Sequence, residues 1–373
     1  MNILGVHLTV LIGETIPTPV PYELSIALKD VEVNHRDDGP SGFQLRYQVG
    51  RSGLSDLLDY KLLSNPLLKP FNRVILIVTF SIMPQVLMDG IITNIQLSPS
   101  SEPGGDILTI TGEDVSLMMD LEEKNQSFPA MPDYVAVGKI IAGYAKYGLV
   151  PPKPPLNQEA MTPVNPLEQI RQQPANTTDR AYLKSLADQY GFVFYITPGP
   201  VPSVNTVHWG PPERITVPQS ALSVKMGGFT NVESINFQFN ALSPQQVNYT
   251  DQDKTNKVSS PGIERSIPLT RNVAEAKRST TLTGYSSRTA VQAQGKVDQS
   301  HDNAVTATGE LNTLRYNGIL NPRGLVGVRG VGDTYDGIYY VKNVSHKISK
   351  GHYGQSFTLT REGTGTLSPF LIP

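Results

Sequence analysis

Hydrophobic and polar side chains alternate along much of the first 118 residues, with the period of a β-strand. In residues 43–49 every second side chain is apolar, which places these side chains on one face of a strand. Residues 24–28 follow the same alternation, and residues 31–33 continue it in the opposite phase, which predicts a β-bulge at residues 29–30. The run 72–83 is apolar at successive positions, as in a strand covered on both faces. Strands this short, separated by turns, indicate an antiparallel barrel or sandwich.

The next region changes to a helical period. Apolar residues that follow Asp133 recur three and four positions apart, which predicts a helix with Asp133 as its N-cap and Gly148 as its stop. A second predicted helix begins at Thr177 or Thr178 and ends at Gly191. The connection between the two helices is rich in proline, which lacks the amide donor that helices and central strands need. We therefore expect an extended surface segment there.

The strand period returns in the last third of the chain. Ile235, Phe237 and Phe239 alternate with polar residues, and further strand-like runs follow between residues 305 and 363. The polar stretch 243–262 predicts a loop or a flexible arm. Residues 288–302 predict a helix, although its apolar positions are mostly alanines. No sequence repeat connects the first and last regions, so a relation between them would lie in shape alone.

Together these patterns predict a mainly β protein with an α+β insertion. Residues 52–58 are expected to form a short helix within the first β region. The predicted domains are a first β-barrel at 1–118, the α+β insertion with its proline-rich segment at 119–210, a second β-barrel at 211–245 and 305–373, and a polar loop with a helical insertion at 246–304.

Composition and charge narrow the function classes. A chain of 373 residues can bury a core in about two or three domains, and its 32 glycines and 30 prolines are typical of short elements joined by turns. The net charge of -2 gives no field that would hold nucleic acid or an anionic membrane. No apolar run approaches the roughly 20 residues that span a bilayer, and the N-terminus lacks the features of a signal peptide. We therefore expect assembly in the cytoplasm, with neither specific nucleic acid nor a membrane as a partner.

Residues suited to catalysis or metal binding are sparse. The absence of cysteine excludes disulfides, thiolate nucleophiles and cysteine metal sites. Only His346 and His352 lie close in sequence; a hairpin could bring them together as a metal pair, but ordinary strand-end residues are the simpler interpretation. Acidic clusters at 37–38, 113–114 and 120–123 fit turns and a helix start better than a glycosidase pair. We predict no catalytic residue, cofactor or metal.

Four segments, in order, resemble the hub family that includes phage late control protein D and the hub part of type VI and extracellular injection spikes. The first is a strand pair with the pattern hydrophobic-Asp-Gly-hydrophobic-hydrophobic-Thr, followed by Leu-x-hydrophobic-x-Gly-x-Asp. The second is similar to the family's amphipathic helix that ends in glycine, although residues 176–179 replace its usual tryptophan-containing lead. The segments are residues 86–93 with 108–114, residues 180–192, residues 204–212, and residues 336–341 with 346–361.

This resemblance implies a fold and a role. Members of the family carry two tail-tube-like antiparallel β-barrels in one chain, and three chains form a pseudo-sixfold trimer. The implied function is a structural baseplate hub of a contractile injection system or phage tail, a symmetry adaptor that joins a sixfold inner tube to a threefold spike. The implied partners are two further copies of the chain, a separate spike protein, the inner tube protein and other baseplate subunits. An enzymatic activity is not expected.

The end of the chain carries the only site residues that we predict. Fused relatives continue into the spike where this sequence reads GTGTLSPFLIP, so a separate spike is expected to bind there. The residues predicted to contact it are Leu367, Phe370, Leu371 and Ile372.

Two other functions remain open at this stage. The single tryptophan, Trp209, could stack on a sugar if it were exposed, which would suit a phage-type protein that binds or cleaves polysaccharide. An anchor packed against a barrel is the other interpretation of this residue. The second function is that of the tail-tube protein itself, but one barrel per chain would need only about half this length.

Overall fold

The computed structural model describes residues 2–3, 6–49, 62–80, 83–102, 105–155, 171–253, 256–260, 268–284 and 289–367. This part of the chain is mainly β, and most of its strand pairs are antiparallel, as the sequence predicts. No helix in these ranges combines the length and the apolar character that crossing a membrane requires.

The first β region surrounds one apolar core, to which nearly all of its strands contribute alternate side chains. Val74 and Ile75 are both fully buried on the strand at residues 73–80, which confirms that this strand is covered on both faces. Its elements are β1 (Asn2–Ile3), β2 (Val6–Gly13), β3 (Thr18–Pro19), α1 (Tyr22–Ala27), β4 (Leu28–Arg36), β5 (Gly42–Gln48), β6 (Arg73–Phe80), β7 (Met83–Ser98) and β8 (Ile107–Asp114).

The α+β module has a second core, between two helices and a three-stranded sheet. Its second helix begins where the sequence predicts, because the Thr178 hydroxyl accepts a hydrogen bond from the Ala181 amide at 3.2 Å, and it ends at Gly191 with φ of 65°. The elements are β9 (Glu123–Lys124), β10 (Ser127–Phe128), α2 (Asp133–Ala142), β11 (Leu149–Val150), β12 (Arg171–Gln172), β13 (Thr177–Thr178), α3 (Asp179–Tyr190), β14 (Val193–Pro198) and β15 (Asn205–Gly210).

The second β region has its own apolar core and a small satellite sheet packed on a helix. The helix predicted at 288–302 is present. The elements are β16 (Gln219–Ser223), β17 (Val232–Phe239), β18 (Gln245–Asp253), β19 (Asn256–Ser260), β20 (Thr270–Val273), β21 (Arg278–Gly284), α4 (Thr289–Asp302), β22 (Val305–Asn312), α5 (Thr313–Tyr316), β23 (Leu325–Arg329), β24 (Gly337–Ser349), β25 (His352–Arg361) and β26 (Gly363–Thr366).

One continuous antiparallel sheet connects the two β regions. β4 pairs with the second half of β24, from Arg36 opposite Asn343 to Asp30 opposite Ser349. Eight strands therefore follow one another in the order β7, β8, β5, β4, β24, β25, β22 and β17. The first half of β24 pairs instead with β23, just as the first half of β7 pairs with β6.

These eight strands are two copies of one four-strand unit. The first copy is β7, β8, β5 and β4, and the second is β24, β25, β22 and β17. β7 has a β-bulge at Thr93, immediately before Asn94, and β24 has one at Lys342, immediately before Asn343. Aligning the two asparagines therefore superimposes the first strand of each unit.

The same alignment also predicts the irregularity in the fourth strand of each unit. In the first unit, the row of opposed residues that starts at Asn94 crosses β8 and β5 and reaches Glu32 in β4. In the second unit, the row that starts at Asn343 crosses β25 and β22 and reaches Asn236 in β17, so Glu32 and Asn236 are equivalent. A β-bulge lies at Lys29 in β4 and at Glu233 in β17, three residues before the aligned position in both cases. Two bulges in one shared register are specific features of a fold, so the relation between the β regions is structural even though their sequences do not repeat.

The predicted bulge at residues 29–30 is thus confirmed, but the predicted strand before it is wrong. Residues 22–27 form helix α1, with Pro21 at its N-cap position. Leu24 and Leu28 are four residues apart, so one helical turn buries both, whereas Ile26 lies on the exposed side. A separation of four residues places two side chains on the same face of a strand and also on the same face of a helix, so the pattern fits both elements.

Two further predictions are corrected. Residues 245–253 and 256–260 form the paired strands β18 and β19, where the sequence predicts a loop, and Val247 of β18 packs against Ala293 and Val297 of α4. Asp133 is not an N-cap: it is the first residue of α2 and is fully buried, with Pro132 at the cap position. α2 ends at Ala142, before Gly148. The helix predicted at 52–58 lies outside the described residues.

Candidate functional surface

The continuous sheet has one apolar face and one polar face. The apolar face lies on the cores of the two β regions. The side chains on the other face, which we call the polar face, are hydrophilic on all eight strands apart from Ile107 at the start of β8, and most are Ser, Thr, Asn or Gln. The hydrophilic ones are Asn94, Gln96, Ser98, Thr109, Thr111, Glu113, Gln44, Arg46, Gln48, Asp30, Glu32, Asn34, Arg36, Asn343, Ser345, Lys347, Ser349, His352, Ser356, Thr358, Thr360, Thr306, Thr308, Glu310, Asn312, Ser234, Asn236 and Gln238.

The polar face is electrically balanced and concave. Three of its acidic residues are matched by three basic residues, and the fourth, Glu113 on β8, forms an ion pair with Arg180 of the α+β module at 2.8 Å, so the face is close to electrically neutral. Arg46 and Asp30 lie across from each other, with 3.5 Å between Nη1 and Oδ2. Across β4, β24, β25, β22 and β17 the face encloses a groove of about 560 Å³. A neutral surface of small polar groups offers water hydrogen bonds but no strong point of attachment for a macromolecule.

The two outer strands of the polar face have open edges. The second half of β7, residues 93–98, pairs with β8 on one side, and no described strand pairs with its other side. β17 pairs with β22 alone among the described strands. Unpaired backbone N–H and C=O groups along an edge are templates for pairing with another chain. Such an edge is a candidate interface.

Arg323 holds the three parts of the chain together. Its guanidinium donates hydrogen bonds to the Arg36 carbonyl oxygen at 3.0 Å, the Ser41 hydroxyl at 2.9 Å and the Ile196 carbonyl oxygen at 3.1 Å. It also stacks on Tyr195, with 4.0 Å from the guanidinium carbon to the ring centroid. Since these partners belong to the first β region and the α+β module, one buried cation from the second β region fixes all three.

A second buried cation joins the first β region to the α+β module. Arg73 and Asp89 form a bidentate ion pair with both N···O distances at 2.7 Å, and both side chains are almost completely buried. The Asn205 side chain donates a hydrogen bond to the same carboxylate at 2.9 Å, and Arg73 also donates to the Tyr147 carbonyl oxygen at 2.9 Å. Asp89 belongs to the Asp-Gly motif of the sequence, whose role is therefore structural.

Two histidines are buried beside the β4–β24 pair. The rings of His35 and His346 lie 5.6 Å apart in a T-shaped contact, and His346 Nδ1 is 3.0 Å from the Tyr353 hydroxyl. Burial lowers the pKa of His346 to about 3; burial, His346 and Arg323 hold the pKa of His35 well below its usual value. Both rings are therefore neutral at pH 7.

The sequence predicts that Asp37 and Asp38 are solvated turn residues, but Asp37 is buried. Burial raises its pKa to about 6, against the opposing field of Lys342. Its Oδ1 atom has no hydrogen-bond partner within the described residues. By contrast Asp114 caps a turn as predicted, accepting a hydrogen bond from the Ser116 amide at 3.0 Å. At neutral pH the charged form of Asp37 costs stability.

Replacing Asp37 with asparagine should stabilise the protein above pH 6 and leave its stability unchanged near pH 4. The folded state holds a proton on Asp37 up to about pH 6, whereas the unfolded chain loses it near pH 3.9, so the wild type is penalised only as pH rises through this window. The expected gain at pH 8 is up to about 3 kcal/mol. Thermal unfolding of both proteins from pH 4 to 8 measures it; a gain that is independent of pH would contradict the assignment.

The structure buries the residue on which the sugar-binding alternative depends. Trp209 lies on β15 and is 1 % exposed; its indole donates a hydrogen bond to the Leu183 carbonyl oxygen at 3.2 Å and packs edge-on against Phe192. It is an anchor of the α+β core, and the platform interpretation is wrong. His346 is buried while His352 is exposed, so they form no metal pair, and no cluster of three or more potential ligands occurs among the described residues.

Of the four predicted spike-binding residues, only Leu367 lies within the described part of the chain. It is 60 % exposed and follows β26, which pairs with β20. β25 ends, and β26 follows, at the end of the sheet where Leu359 pairs with Val341. Arg323, which binds the α+β module, lies at the same end, because its amide donates a hydrogen bond to the Val341 carbonyl oxygen at 2.7 Å. The chain therefore leaves the sheet at the end where the α+β module is attached. Phe370, Leu371 and Ile372 lie outside the described residues.

Comparison with known proteins gives no sequence relative but clear structural ones. No family model matches the sequence, and no curated protein matches it. The tail protein from Neisseria meningitidis MC58 superimposes with a TM-score of 0.67 at 14% identity, over 96% of this chain and 97% of that one. The 43 kDa tail protein of prophage MuSo2 from Shewanella oneidensis gives 0.63 at 10% identity, over 95% and 99%.

A third similar structure comes from a secretion apparatus. It is an E. coli component of the type VI secretion system, described as structurally similar to the T4 bacteriophage tail proteins gp27 and gp5. It gives a TM-score of 0.54 at 11% identity, over 93% of this chain and 77% of that one. At such low identities the likeness shows the fold alone: this chain has the fold of phage tail proteins.

Proposed function

We propose that the protein is a structural baseplate hub, in which three chains form a ring that joins a sixfold tube to a threefold spike. The observation that supports this most directly is the repeated four-strand unit. One chain carries two units in the same register, so three chains present six. A trimer built in this way offers six similar surfaces to a sixfold partner while it remains threefold for another.

The polar face suits the inner wall of that ring. It is concave, extends over both units and is polar among the described residues apart from Ile107 at one end. Three copies supply 24 strands, which at about 4.8 Å per strand give a circumference of roughly 115 Å, and more when the strands tilt. The corresponding channel is on the order of 35–50 Å across between backbones. Its neutral lining would let a cargo pass without binding it.

The role proposed here is mechanical. Arg323 and the Arg73–Asp89 pair fix the three parts of the chain to one another through buried, charge-assisted hydrogen bonds. A hub that transmits an axial impulse needs such rigid attachments. No group of three or more side chains that could hold a metal ion occurs among the described residues. A cleft of about 340 Å³ is lined by five aspartates, Asp37, Asp38, Asp114, Asp120 and Asp188. Three of these carboxylates are engaged in structural contacts, because Asp120 and Asp188 form ion pairs with Arg180 and Lys184 and Asp114 accepts hydrogen bonds from the Ser41 and Ser116 amides, which favours a structural role over an enzymatic one.

Native mass spectrometry of the purified protein at micromolar concentration tests this function. The expected species is a trimer of the 40.7 kDa chain. The alternative of a tail-tube protein predicts hexamers or open-ended tubes instead. A monomer at every concentration would contradict the proposal.

Removal of residues 367–373 should abolish binding of the spike and leave the trimer intact. Leu367 is exposed where the chain leaves the sheet, and a hydrophobic end at that position suits a pocket on a partner. Co-purification of the truncated protein with a co-expressed spike chain measures this. The matched control is substitution of Phe229, which is 72 % exposed and lies shortly before β17. Spike binding by the truncated trimer would refute the assignment.

A further inference from the structure

We propose that the ring closes by pairing β17 of one protomer with the second half of β7 of the next, in the register that places Gln238 opposite Gln96. This inference rests on the proposed function for the presence of several copies, and it adds the strands and the register of their contact. Both strands have an open edge within the described structure.

The register follows from a pair that the chain already contains. Within one chain the fourth strand of the first unit, β4, pairs with the first strand of the second unit, β24, and places Asn34 opposite Ser345. The alignment of the two units makes β17 equivalent to β4 and β7 equivalent to β24. Under this alignment Gln238 corresponds to Asn34, and Gln96 corresponds to Ser345. The junction between chains is therefore a copy of the junction within the chain.

The side chains provide an independent check, because the register was derived from backbone pairing alone. Opposed residues of an antiparallel pair lie on the same face, so a register shifted by one residue would place apolar against polar side chains at every position. Every predicted pair matches in polarity. The pairs, with the β7 residue first, are Asn94 and Asn240, Ile95 and Phe239, Gln96 and Gln238, Leu97 and Phe237, and Ser98 and Asn236.

Exposure supports the same contact. Phe239 is 46 % exposed in the single chain, although Ile235 and Phe237 on the same face of β17 pack on the second core. Ile95 and Leu97 are only partly buried, at the edge of the first core. The proposed pairing joins these apolar rows and makes the two cores continuous beneath the sheet. It also extends the polar face from one chain to the next without interruption.

Strand direction permits closure. Neighbouring strands are antiparallel at each of the seven steps from β7 to β17, so β17 runs opposite to β7. The β7 strand of the next chain therefore meets β17 in the antiparallel sense, as β24 meets β4. The contact joins different surfaces of identical chains, and such a head-to-tail contact gives a closed ring when its rotation fits the number of chains.

Introduced cysteine pairs can test the register, because the chain has no cysteine of its own that could form other disulfides. The double variant Gln96→Cys, Gln238→Cys should form disulfides between chains under mild oxidation, giving covalent dimers and trimers on a non-reducing gel. The matched control is Asn34→Cys, Ser345→Cys, which tests the equivalent pair within one chain and should form a disulfide without a change in oligomer size. A shifted pair, Gln96→Cys with Ser234→Cys, should give at least tenfold less intermolecular product, since its positions would be four residues out of register.

The outcomes separate this inference from the proposed function. Intermolecular disulfides at the predicted pair, with the shifted pair inactive, support both. A trimer by native mass spectrometry without a disulfide at the predicted pair, while the intrachain control forms, overturns the register and leaves the hub function standing. A protein that stays monomeric and gives no disulfide between chains overturns both.

Discussion

Replacing Phe239 with aspartate should dissociate the ring into folded monomers. In the single chain this ring is 46 % exposed, so the substitution removes little of the core of its own chain. At the proposed junction it faces Ile95 of the neighbour, and the variant would lose a buried phenylalanine, worth about 1.5–3 kcal/mol, and bury an unpaired carboxylate as well. Together these effects exceed about 4 kcal/mol, which weakens each junction on the order of a thousandfold.

Sedimentation equilibrium of both proteins over nanomolar to micromolar concentrations measures this dissociation. Phe229→Asp is the matched control: Phe229 is 72 % exposed in the loop before β17, it belongs to no proposed junction, and its replacement should leave the trimer unchanged. Circular dichroism should show that both variants remain folded. A trimer of undiminished affinity in the Phe239 variant would exclude β17 from the interface.

Replacing Asp89 with alanine should be among the most destabilising single substitutions in this chain. Arg73 would remain buried with its charge unpaired, and the Asn205 amide would lose its acceptor. Removing one partner of a buried ion pair costs about 3–5 kcal/mol. The loss should loosen the attachment of the α+β module first, because Asn205 and Tyr147 contact the pair from that module.

Urea unfolding in the Phe239→Asp background measures this cost without coupling to dissociation. Asp188→Ala is the matched control, because Asp188 forms an ion pair with Lys184 at 3.3 Å on an exposed helix surface. Such a pair contributes at most about 0.5 kcal/mol. Equal effects of the two substitutions would mean that the Arg73–Asp89 pair does not hold the module in place.

The strand pattern could be predicted from the sequence because burial on one face imposes a period of two. Residues 43–49 and 235–240 show that period without interruption, and the change of phase at residues 29–30 predicted a β-bulge that the structure contains. Helix α1 was missed because Leu24 and Leu28 satisfy both periods at once. β18 and β19 were missed because their stability depends on packing against α4, which is distant in sequence.

The repeated unit could not be predicted because backbone register, and not side-chain identity, is what the two copies share. Glu32 and Asn236 occupy equivalent positions, yet one is acidic and the other is an amide. The sequence placed Trp209 in a plausible binding segment, and only the fold shows that Phe192 and Leu183 enclose it. Similarly, the sequence predicts a turn at Asp37, and only the fold shows that this side chain is buried near Lys342 and Arg323 of the second β region.

In the proposed assembly each chain contributes two equivalent four-strand units to one closed ring. Single-particle cryo-electron microscopy of the purified protein tests it most directly, because the inner wall can be counted strand by strand. The expected map shows three chains around an open channel lined by 24 strands in six similar units. A map of isolated monomers, or of a ring in which β17 and β7 remain unpaired, would contradict the account.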